Sequence, residues 1–487
     1  MKKSFKTLGL CIAVCFAINA NSQLVNCNPD DYPKQKSSHE FPAQYWVEVV
    51  SSQPESYAVD ANGDVHIYSA EGLAWLVSTV NGLNGQDPDD FNGKKVTLEE
   101  NVDMSAAIWT SIAQGSNFAP GLNTLKFCGT FDGNGYEITN LYLYYPTMEQ
   151  VDAFFGFLCG ATIKNVTIRH VYASGRSNQD GLFFAHSDAN TIIDRCRFEV
   201  DEVYKSDMRA EYAIFGYRNE GTITNCMTKI RKVDYEGHPE TNMDMFVFRN
   251  DGTIRNCASV ADSLKFLRSF AGIAGTNYGL IENCYSYIGT FFGEYEIWWP
   301  PAPRQGICMY NFGTITNGYY NTVAPESWIS NAPAYYNQGT IEQTSPFDWN
   351  DGWQLTESIT GTNNLMEALN NWVDGQADSD YFATWCEDDD FAEHHLPNLC
   401  NIIINDIAEV DGSDSQVTIY PNPAKEQIII EGICPDEIQI FNIFGQYVKT
   451  NYNTDEICVS ELSNGLYFLR ISDHKGKTVT KRFVVTD

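Results

Sequence analysis

The chain has 487 residues, and its 63 Asp and Glu against 31 Lys and Arg give a formal net charge of −32 at pH 7. This acidity excludes nucleic acid and anionic membrane surfaces as favoured partners, because like charges repel. The length allows roughly two to four domains, or one long repeat array with an accessory domain.

The first residues have the pattern of a secretory signal peptide. Three lysines precede an apolar run from Leu8 to Ile18, and Ala20 and Ser22 are small residues before a cut at Gln23. The run is too short for a stable membrane span, and no other segment approaches the ~18–20 apolar residues that a span needs. We predict that residues 1–22 are removed, which changes the net charge from −32 to −35 and leaves an exported chain.

Residues 69–82, SAEGLAWLVSTVNG, predict a helix at the start of the array. Leu and Val recur at helical spacing from Leu73 to Val80, and Asn81-Gly82 supplies a stop. A helix here would cover the open end of a solenoid. The segments 93–104 and 127–143 then predict the first strands, with a turn at Asp132-Gly133-Asn134-Gly135.

One short unit recurs through the middle of the chain. NEGTITNC (219–226) returns as NDGTIRNC (250–257), NYGLIENC (277–284), NFGTITNG (311–318) and NQGTIEQT (337–344). Such self-similarity is typical of a solenoid, and the β-branched, glycine-punctuated units favour stacked parallel β-coils over helical repeats. The isoleucines expected to point into the core are Ile138, Ile163, Ile193, Ile223, Ile254, Ile281, Ile315 and Ile341.

Each unit contains two asparagines. The first, as in Asn219-x-Gly221, predicts a turn in which both residues tolerate φ > 0. The second comes two residues after the isoleucine, and neighbouring coils lie ~4.8 Å apart. Amides stacked at that distance predict an asparagine ladder. Its members are Asn140, Asn165, Asn225, Asn256, Asn283 and Asn317.

A column of cysteines follows the second asparagine. In-register parallel strands hold Cβ atoms ~4.8 Å apart, whereas a disulfide requires ~3.8 Å. Leu141 and Val166 occupy the same motif position, so we expect small, buried core thiols. Cross-coil disulfides and a metal or redox role are the alternatives. The cysteines are Cys196, Cys226, Cys257 and Cys284.

The motifs FNGKKVTLEENVDM (91–104), CGTFDGNGYEITNLYL (128–143) and Asn-x-Gly-Thr-Ile-x-Asn-Cys resemble those of GLUG-type β-helix proteins. The resemblance covers roughly residues 64–345 and implies a right-handed, pectate-lyase-like parallel β-helix. It implies no particular activity, because this fold carries adhesins, lyases, hydrolases and inert stalks.

The longest spacing between coils contains the insert GTFFGEYEIWWPPAPRQG (289–306). Inserted loops of solenoids commonly carry binding, and aromatic rings held by prolines present rigid faces to a sugar or a protein. Tyr295, Trp298 and Trp299 are therefore candidate ligand-binding residues. The alternative is a loop that folds back over its own coil.

Two acidic runs precede and follow the repeats. QDPDDF (86–91) and EDDDF (387–391) offer oxygen ligands for Ca²⁺, the one cofactor we consider, and solvated loops are the alternative. Cys386 and Cys400 enclose the second run. We predict a disulfide between them that stabilises the fold by roughly 3 kcal/mol.

After a polar linker, strands alternate with turns and predict a β-sandwich of about 70 residues. The segments YPNPA (420–424), NIFGQ (442–446) and LSNGLY (462–467) resemble the type A C-terminal sorting domain of the type IX secretion system. The resemblance implies a Bacteroidota-type bacterium, Sec export, passage through the outer membrane and removal of the domain. Its motif residues are Pro421, Asn422, Pro423, Gly445, Gly465, Tyr467 and Lys481. Cys434 and Cys458 depart from the usual pattern, and either pair or pack separately.

The predicted fold class is all-β. Its parts are a signal peptide (1–22), an N-terminal segment (23–66), a right-handed β-helix with a helical cap at its start and a cap at its end (67–400), a linker (401–415) and the sorting domain (416–487).

Zincin, nucleophile-elbow and P-loop motifs are absent from the sequence. We therefore expect adhesin-like binding of a glycan or protein by a secreted or surface-attached monomer whose other partner is the secretion machinery. The alternatives are a polysaccharide lyase or glycoside hydrolase, and a passive spacer. An enzyme of this kind requires acids together with Arg or Lys on one exposed face of consecutive coils. The basic residues considered for that role are Arg169, Arg195, Arg231, Lys232 and Arg255, each otherwise a solvated surface residue.

Overall fold

The chain coils into a right-handed parallel β-helix of about seven turns and ends in small antiparallel sheets. This computed structural model describes residues 40–115, 125–145, 153–175, 179–206, 211–236, 242–265, 269–292, 304–321, 332–348, 352–387 and 396–400, and most of 418–485. The predicted all-β class with a helical cap at the start of the solenoid is confirmed.

The N-terminal elements close the first end of the solenoid. Ser69 caps α2 by accepting a hydrogen bond from the Gly72 amide, and Gly82 ends the helix with φ 66°. The apolar side of the helix is buried with the first strands in the main core. These elements are α1 (Trp46–Val49), β1 (Tyr57–Val59), β2 (Val65–Ile67), α2 (Ala70–Asn81), β3 (Lys95–Leu98), β4 (Val102–Asp103), β5 (Thr130–Asp132) and β6 (Glu137–Tyr145).

Seven coils follow, and coils 1–4 each repeat the same order of four strands. Coil 1 holds β7 (Phe155–Leu158), β8 (Thr162–Lys164), β9 (Thr167–Gly175) and β10 (Gln179–Gly181); coil 2 holds β11 (Phe184–Ser187), β12 (Ile192–Asp194), β13 (Arg197–Ser206) and β14 (Glu211–Ala213); coil 3 holds β15 (Gly216–Asn219), β16 (Thr222–Thr224), β17 (Met227–Glu236) and β18 (Asn242–Asp244); coil 4 holds β19 (Val247–Asn250), β20 (Thr253–Arg255), β21 (Ala258–Lys265) and β22 (Ser269–Ala271). Coil 5 holds β23 (Ala274–Asn277), β24 (Leu280–Phe292) and β25 (Arg304–Gln305); coil 6 holds β26 (Cys308–Asn311) and β27 (Thr314–Asn321); coil 7 holds β28 (Ala334–Asn337), β29 (Thr340–Glu342) and β30 (Ser345–Asp348).

Corresponding strands of successive coils pair in parallel and form three sheets. The first strands of the coils make a seven-stranded sheet, and the last strands of coils 1–5 make a five-stranded sheet. The short and long middle strands join the N-terminal strands in a 20-stranded sheet, which we call the long sheet.

The isoleucine column predicted from the repeat lines the core, with one correction. Ile163 pairs with Ile193, and Ile193 with Ile223, all fully buried. Ile138 is fully buried in the core as predicted, but its place in the column was wrong: it pairs with Ile168, whereas Phe131 pairs with Ile163. The reason is that β5 stacks on the short strand β8 of coil 1, whereas β6, which contains Ile138, stacks on the long strand β9.

The glycines of the Asn-x-Gly motif serve close packing and not a left-handed turn. Gly252, Gly279 and Gly313 are not among the residues with positive φ, and neither are the asparagines two positions earlier. Instead, a Cβ built on Gly279 would lie 1.9 Å from the carbonyl oxygen of Gly252 in the coil before. The predicted reason for the motif was therefore wrong. The second asparagines, such as Asn256 with φ 52°, make the left-handed bend.

We expect Gly279→Ala to destabilise the protein by roughly 3 kcal/mol, because the added methyl must push one coil away from the next. The matched control is Gly63→Ala, which has φ 84° and no atom within 4 Å of its Cβ. That change should cost only the left-handed strain of ~1 kcal/mol. Urea unfolding of both variants measures the difference, and equal losses would contradict the packing explanation.

Residues 352–387 and 396–400 begin with a strand that pairs antiparallel with β30, the last strand of coil 7, and then pack along the side of the β-helix. We call them the covering segment; residues 388–395 are outside the described part. Its apolar side chains pack on outward residues of the long sheet in coils 3–6, such as Met227, Tyr285 and Tyr319. Cys386 and Cys400 are joined by a disulfide. Its elements are β31 (Gln354–Ile359), β32 (Thr362–Asn364), α3 (Leu365–Asp374), a 3-10 helix (Ser379–Tyr381), β33 (Trp385–Glu387) and β34 (Pro397–Leu399).

Two antiparallel sheets at the C-terminus enclose their own core. Ile428, Ile438, Leu469 and Phe483 are fully buried there. The three-stranded sheet has the order β35 (Thr418–Tyr420), β36 (Gln427–Glu431) and β39 (Glu456–Cys458), and the four-stranded sheet combines β37 (Pro435–Asn442), β38 (Tyr447–Tyr452), β40 (Gly465–Asp473) and β41 (Thr478–Val485).

Candidate functional site

The longest asparagine ladder lies at the ends of the first strands of the coils. The Nδ2 atom of Asn219 donates to Oδ1 of Asn250 at 2.8 Å, and Asn250, Asn277 and Asn311 each donate to the next asparagine at the same distance. These amides satisfy one another inside the protein, where an unpaired polar group is costly. The ladder is a structural feature, since its asparagines are buried in all but the last coil, at Asn337.

The predicted ladder residues form a shorter ladder that the covering segment contacts. Asn283 donates to Asn256, and Asn256 to Asn225, both at 2.8 Å. Asn165 donates instead to Asp132 at 2.9 Å, and Nδ2 of Asn317 has no partner among the described residues. Arg195 takes the asparagine position in coil 2, so the column is interrupted there.

The cysteine column is buried in the core. Cys196, Cys226, Cys257 and Cys284 are fully buried free thiols. Each sulfur approaches the carbonyl oxygen of the core isoleucine one coil earlier, for example Cys226 Sγ to Ile193 O at 3.7 Å. Within the described residues, no group of three or more His, Cys, Asp or Glu could hold a metal ion.

An exposed group of aromatic residues covers coils 5–7, on the seven-stranded sheet and in the turns that follow its strands. We call it the aromatic face. Its side chains are between 36% and 57% exposed, although large apolar side chains are normally buried. Its members are Tyr278, Tyr310, Phe312, Tyr335 and Tyr336.

Ring orientation changes along the aromatic face. The rings of Tyr278 and Phe312 are stacked, with centroids 4.9 Å apart and planes 9° apart, so each covers one face of the other. In coil 7 the planes turn: Tyr335 stands at 78° to Tyr310, and Tyr336 at 59° to Phe312. Coil 7 therefore presents tyrosine rings that are not stacked on a parallel neighbour.

A paired arginine borders the aromatic face. The guanidinium of Arg249 lies 4.7 Å from the centroid of Tyr278, within cation–π distance. It also donates two hydrogen bonds of 2.7 Å to Asp251. The bond to Asp251 raises the pKa of Arg249, and the same carboxylate accepts from Arg218 at 3.1 Å. The positive charges of Arg249 and Arg218 are therefore balanced by neighbouring carboxylates on the same surface.

A half-buried histidine continues the same sheet toward coil 1. His186 stacks on Phe157 with centroids 4.9 Å apart. Burial, assisted by the charge of Arg218, lowers the pKa of His186 to about 4 from the ordinary 6.5. As the pH falls, the His186 imidazole therefore binds a proton at a higher pH in the unfolded chain than in the folded protein. Stability that is fully present above about pH 6.5 is lost as the pH falls toward 4.

We predict that His186→Phe preserves the stacking and removes this proton uptake. Between pH 7 and pH 4, the variant should lose about 2 kcal/mol less unfolding free energy than the unchanged protein. Urea titrations at a series of pH values measure the difference. Because both proteins contain the same carboxylates, parallel stability curves would contradict the assignment.

A second exposed region, which we call the charged face, covers coils 1–3 of the long sheet. Asp201 is its centre: Oδ2 accepts from the Tyr172 hydroxyl and lies 2.9 Å from His170 Nδ1, while Oδ1 lies 3.5 Å from Arg231 Nε. Register shifts around Val200 leave Asp201 unpaired in the ladder to β9. Further ion pairs join Arg169 to Glu137 and Glu199, and Lys232 to Glu202 and Asp234.

The charged face has the composition that the enzyme alternative requires, namely acids and bases on one exposed side of consecutive coils. Sequence reasoning offered Arg169, Arg231 and Lys232 singly and did not connect them to His170 and Asp201. The other two candidates lie elsewhere: Arg195 pairs with Asp194, and Arg255 with Glu282 at 2.8 Å.

Several predicted site residues lie outside the described residues. These are Tyr295, Trp298, Trp299, Cys434, Pro421, Asn422, Pro423 and Gly445. Their roles, and the pairing of Cys434 with Cys458, stay predictions. Gly465 begins β40, Tyr467 stacks on Phe483 at 5.6 Å, and Lys481 pairs with Leu469.

The acidic run before β3 uses its carboxylates locally. Asp89 accepts from the Phe91 amide at 2.9 Å and pairs with Lys94, and Asp90 accepts from the Asn92 amide at 3.0 Å. Most of the second run, 388–391, is outside the described part of the chain. No helix among the described residues is long and apolar enough to cross a membrane.

Comparison with known proteins identifies the C-terminal region. Residues 418–486 match the family model of the secretion system C-terminal sorting domain. No curated protein matches the chain significantly. A Bacteroides ovatus crystal structure, provisionally described as an immunoglobulin A1 protease, is 15% identical, with a TM-score of 0.44 over 75% of this chain and 99% of that one. A similarity this low does not indicate the activity of this chain. The sorting domain implies export through the type IX secretion system to the cell surface or the extracellular space.

Proposed function

We propose that this exported protein is an adhesin-like binding protein that holds a glycan on its aromatic face. One observation carries the proposal: five large aromatic side chains stand exposed on one side of three consecutive coils. Leaving them in water has a hydrophobic cost that a bound partner would remove.

The composition of this surface favours an uncharged glycan over an acidic partner. Tyrosine rings offer an apolar face to the carbon-bound hydrogens of a sugar, and their hydroxyls donate and accept hydrogen bonds. Arg249 and Arg218 are already paired with acids, so they offer little charge to an anion. The net charge of −32 further disfavours anions.

The same proposal includes the finer predictions from sequence. These are GLUG-type repeats, a cleaved signal peptide, a monomeric product and removal of the sorting domain after export. The rigid coils would act as a scaffold that holds the aromatic rings at fixed spacing, which limits the entropy lost on binding.

A second candidate function is a polysaccharide lyase or glycoside hydrolase that uses the charged face. The observation that favours it is His170, a part-exposed imidazole held by the carboxylate of Asp201 at 2.9 Å. Such a pair can act as a general base on a sugar. Against it, Asp201 is shared among three donors, as expected of a structural ion-pair network.

The test is a glycan array and a polysaccharide-depolymerisation screen on the purified exported protein, with and without Ca²⁺. Binding without new products supports the adhesin proposal. New reducing ends or unsaturated uronates that disappear in His170→Ala support the enzyme candidate. Absence of both signals contradicts both and leaves a protein ligand or a spacer role.

A further inference from the structure

We propose that Cys128 and Cys159 form a disulfide in the exported protein and so covalently join two adjacent turns at the N-terminal end of the β-helix. The inference goes beyond the proposed binding function and does not depend on it.

The backbone places the two cysteines side by side. Phe127 and Leu158 form a parallel bridge, and the Cys159 amide donates to the Phe127 carbonyl at 3.0 Å. The cysteines that follow are therefore neighbours on successive turns. Both thiols are free in this structure, and burial, followed by the neighbouring Cys159 thiol, raises the pKa of Cys128. Neighbouring strands lie ~4.8 Å apart, within the range of Cα separations that disulfides span, but as in the buried column the two Cβ atoms must approach by ~1 Å. The Phe127–Leu158 bridge is isolated, so no regular ladder around the cysteines opposes this adjustment.

Exposure separates this pair from the cysteine column in the core. Cys128 and Cys159 are each partly exposed, whereas Cys196, Cys226 and Cys257 are completely buried. An oxidant can reach the first pair in the folded protein but not the buried column. Gly160, with φ 61° and no atom closer than 3.9 Å to a Cβ built on it, follows Cys159 in an open turn that can adjust to the bond.

Export supplies the chemical setting. The sorting domain implies passage out of the cytoplasm. Disulfides persist in the oxidising environment outside it. The oxidant required is a second disulfide, such as that of an exchange protein in the export compartment. The Cys159 thiolate attacks one of its sulfurs and forms a mixed disulfide, which the Cys128 thiolate then breaks. Two electrons pass to the oxidant, which leaves as a dithiol with the two protons.

The order of attack follows from the surroundings of Cys128. Burial and the contact with Cys159 raise the pKa of Cys128 to about 12, which makes it a poor first nucleophile. Once Cys159 is part of the mixed disulfide, Cys128 is held next to the sulfur that it must attack. Proximity then compensates for its low thiolate fraction.

The experiment is thiol mapping of the full exported protein, purified without reductant. The native protein is alkylated with one reagent, then denatured and alkylated with a second before peptide mass spectrometry. We expect a linked 128–159 peptide that carries neither label, with Cys386–Cys400 as the linked control and Cys196 labelled only after denaturation. Either label on most of Cys128 and Cys159 would overturn the proposal.

A variant provides a second test that does not depend on the linked peptide. Cys128→Ser should make Cys159 reactive in the native protein, adding close to one labelled thiol per chain. Cys128→Ser, Cys159→Ser and the double variant should lower the midpoint of thermal unfolding by the same amount, since any of them removes the one bond. Additive losses, or no new reactive thiol, would contradict a disulfide.

Discussion

Replacing Tyr335 and Tyr336 together by alanine is expected to weaken glycan binding by about 30-fold. Each ring that contacts a ligand contributes ~1 kcal/mol beyond the area it buries, and 1.4 kcal/mol corresponds to a factor of ten. The two tyrosines lie in coil 7, where ring planes are turned away from their neighbours. Titration of the best glycan from the array, followed by calorimetry or fluorescence, measures the loss.

Tyr68→Ala is the matched control for that prediction. Tyr68 is an exposed tyrosine too, at 41% against 43% for Tyr336, but it lies between β2 and α2 and not on the aromatic face. Its replacement should leave binding unchanged. Neither change should alter the thermal midpoint by more than a degree or two, because exposed side chains contribute little to stability. Equal binding by both variants would place the ligand elsewhere.

The solenoid could be predicted from the sequence because its signals are local and repeated. One unit of about eight residues occurs five times with the same asparagine and isoleucine, and the α2 helix has both end signals, Ser69 and Gly82. The role of the Asn-x-Gly glycines could not be predicted in the same way. The carbonyl oxygen that excludes a side chain at Gly279 belongs to Gly252, and that contact exists only after the coils stack.

The two candidate faces could not be predicted for a related reason. Tyr278 and Tyr336 are far apart in the chain and share a surface only because three coils place them in register. The pairing of His170 with Asp201 depends further on the local shift around Val200, which no sequence spacing indicates. Composition gives the number of aromatic residues but does not indicate which of them are exposed.

The largest stability loss is expected for Asn256→Ala, at roughly 4 kcal/mol. Its amide makes four hydrogen bonds inside the protein: Nδ2 donates to Asn225 Oδ1 and to the Ala383 carbonyl, both at 2.8 Å, and Oδ1 accepts from Asn283 at 2.8 Å and from the Trp385 indole at 2.7 Å. Alanine would leave these buried partners unpaired, at ~1–3 kcal/mol for each group that cannot find another. The thermal midpoint should fall by roughly 8 °C or more.

Asn317→Ala is the control for backbone strain. It introduces the same strain as Asn256→Ala but removes far fewer hydrogen bonds. Both asparagines have left-handed φ, 52° and 50°, so alanine is equally strained at the two positions. Among the described residues, the Asn317 amide nitrogen has no hydrogen-bond partner and its oxygen accepts from Thr316 alone. We expect a loss of ~1 kcal/mol there.

The excess loss in Asn256→Ala should appear together with faster amide exchange in residues 365–385, because two of the lost hydrogen bonds hold the covering segment. If both variants lose the same free energy, or the exchange is unchanged, the ladder does not anchor that segment, and its apolar contacts with Met227, Tyr285 and Tyr319 must hold it alone.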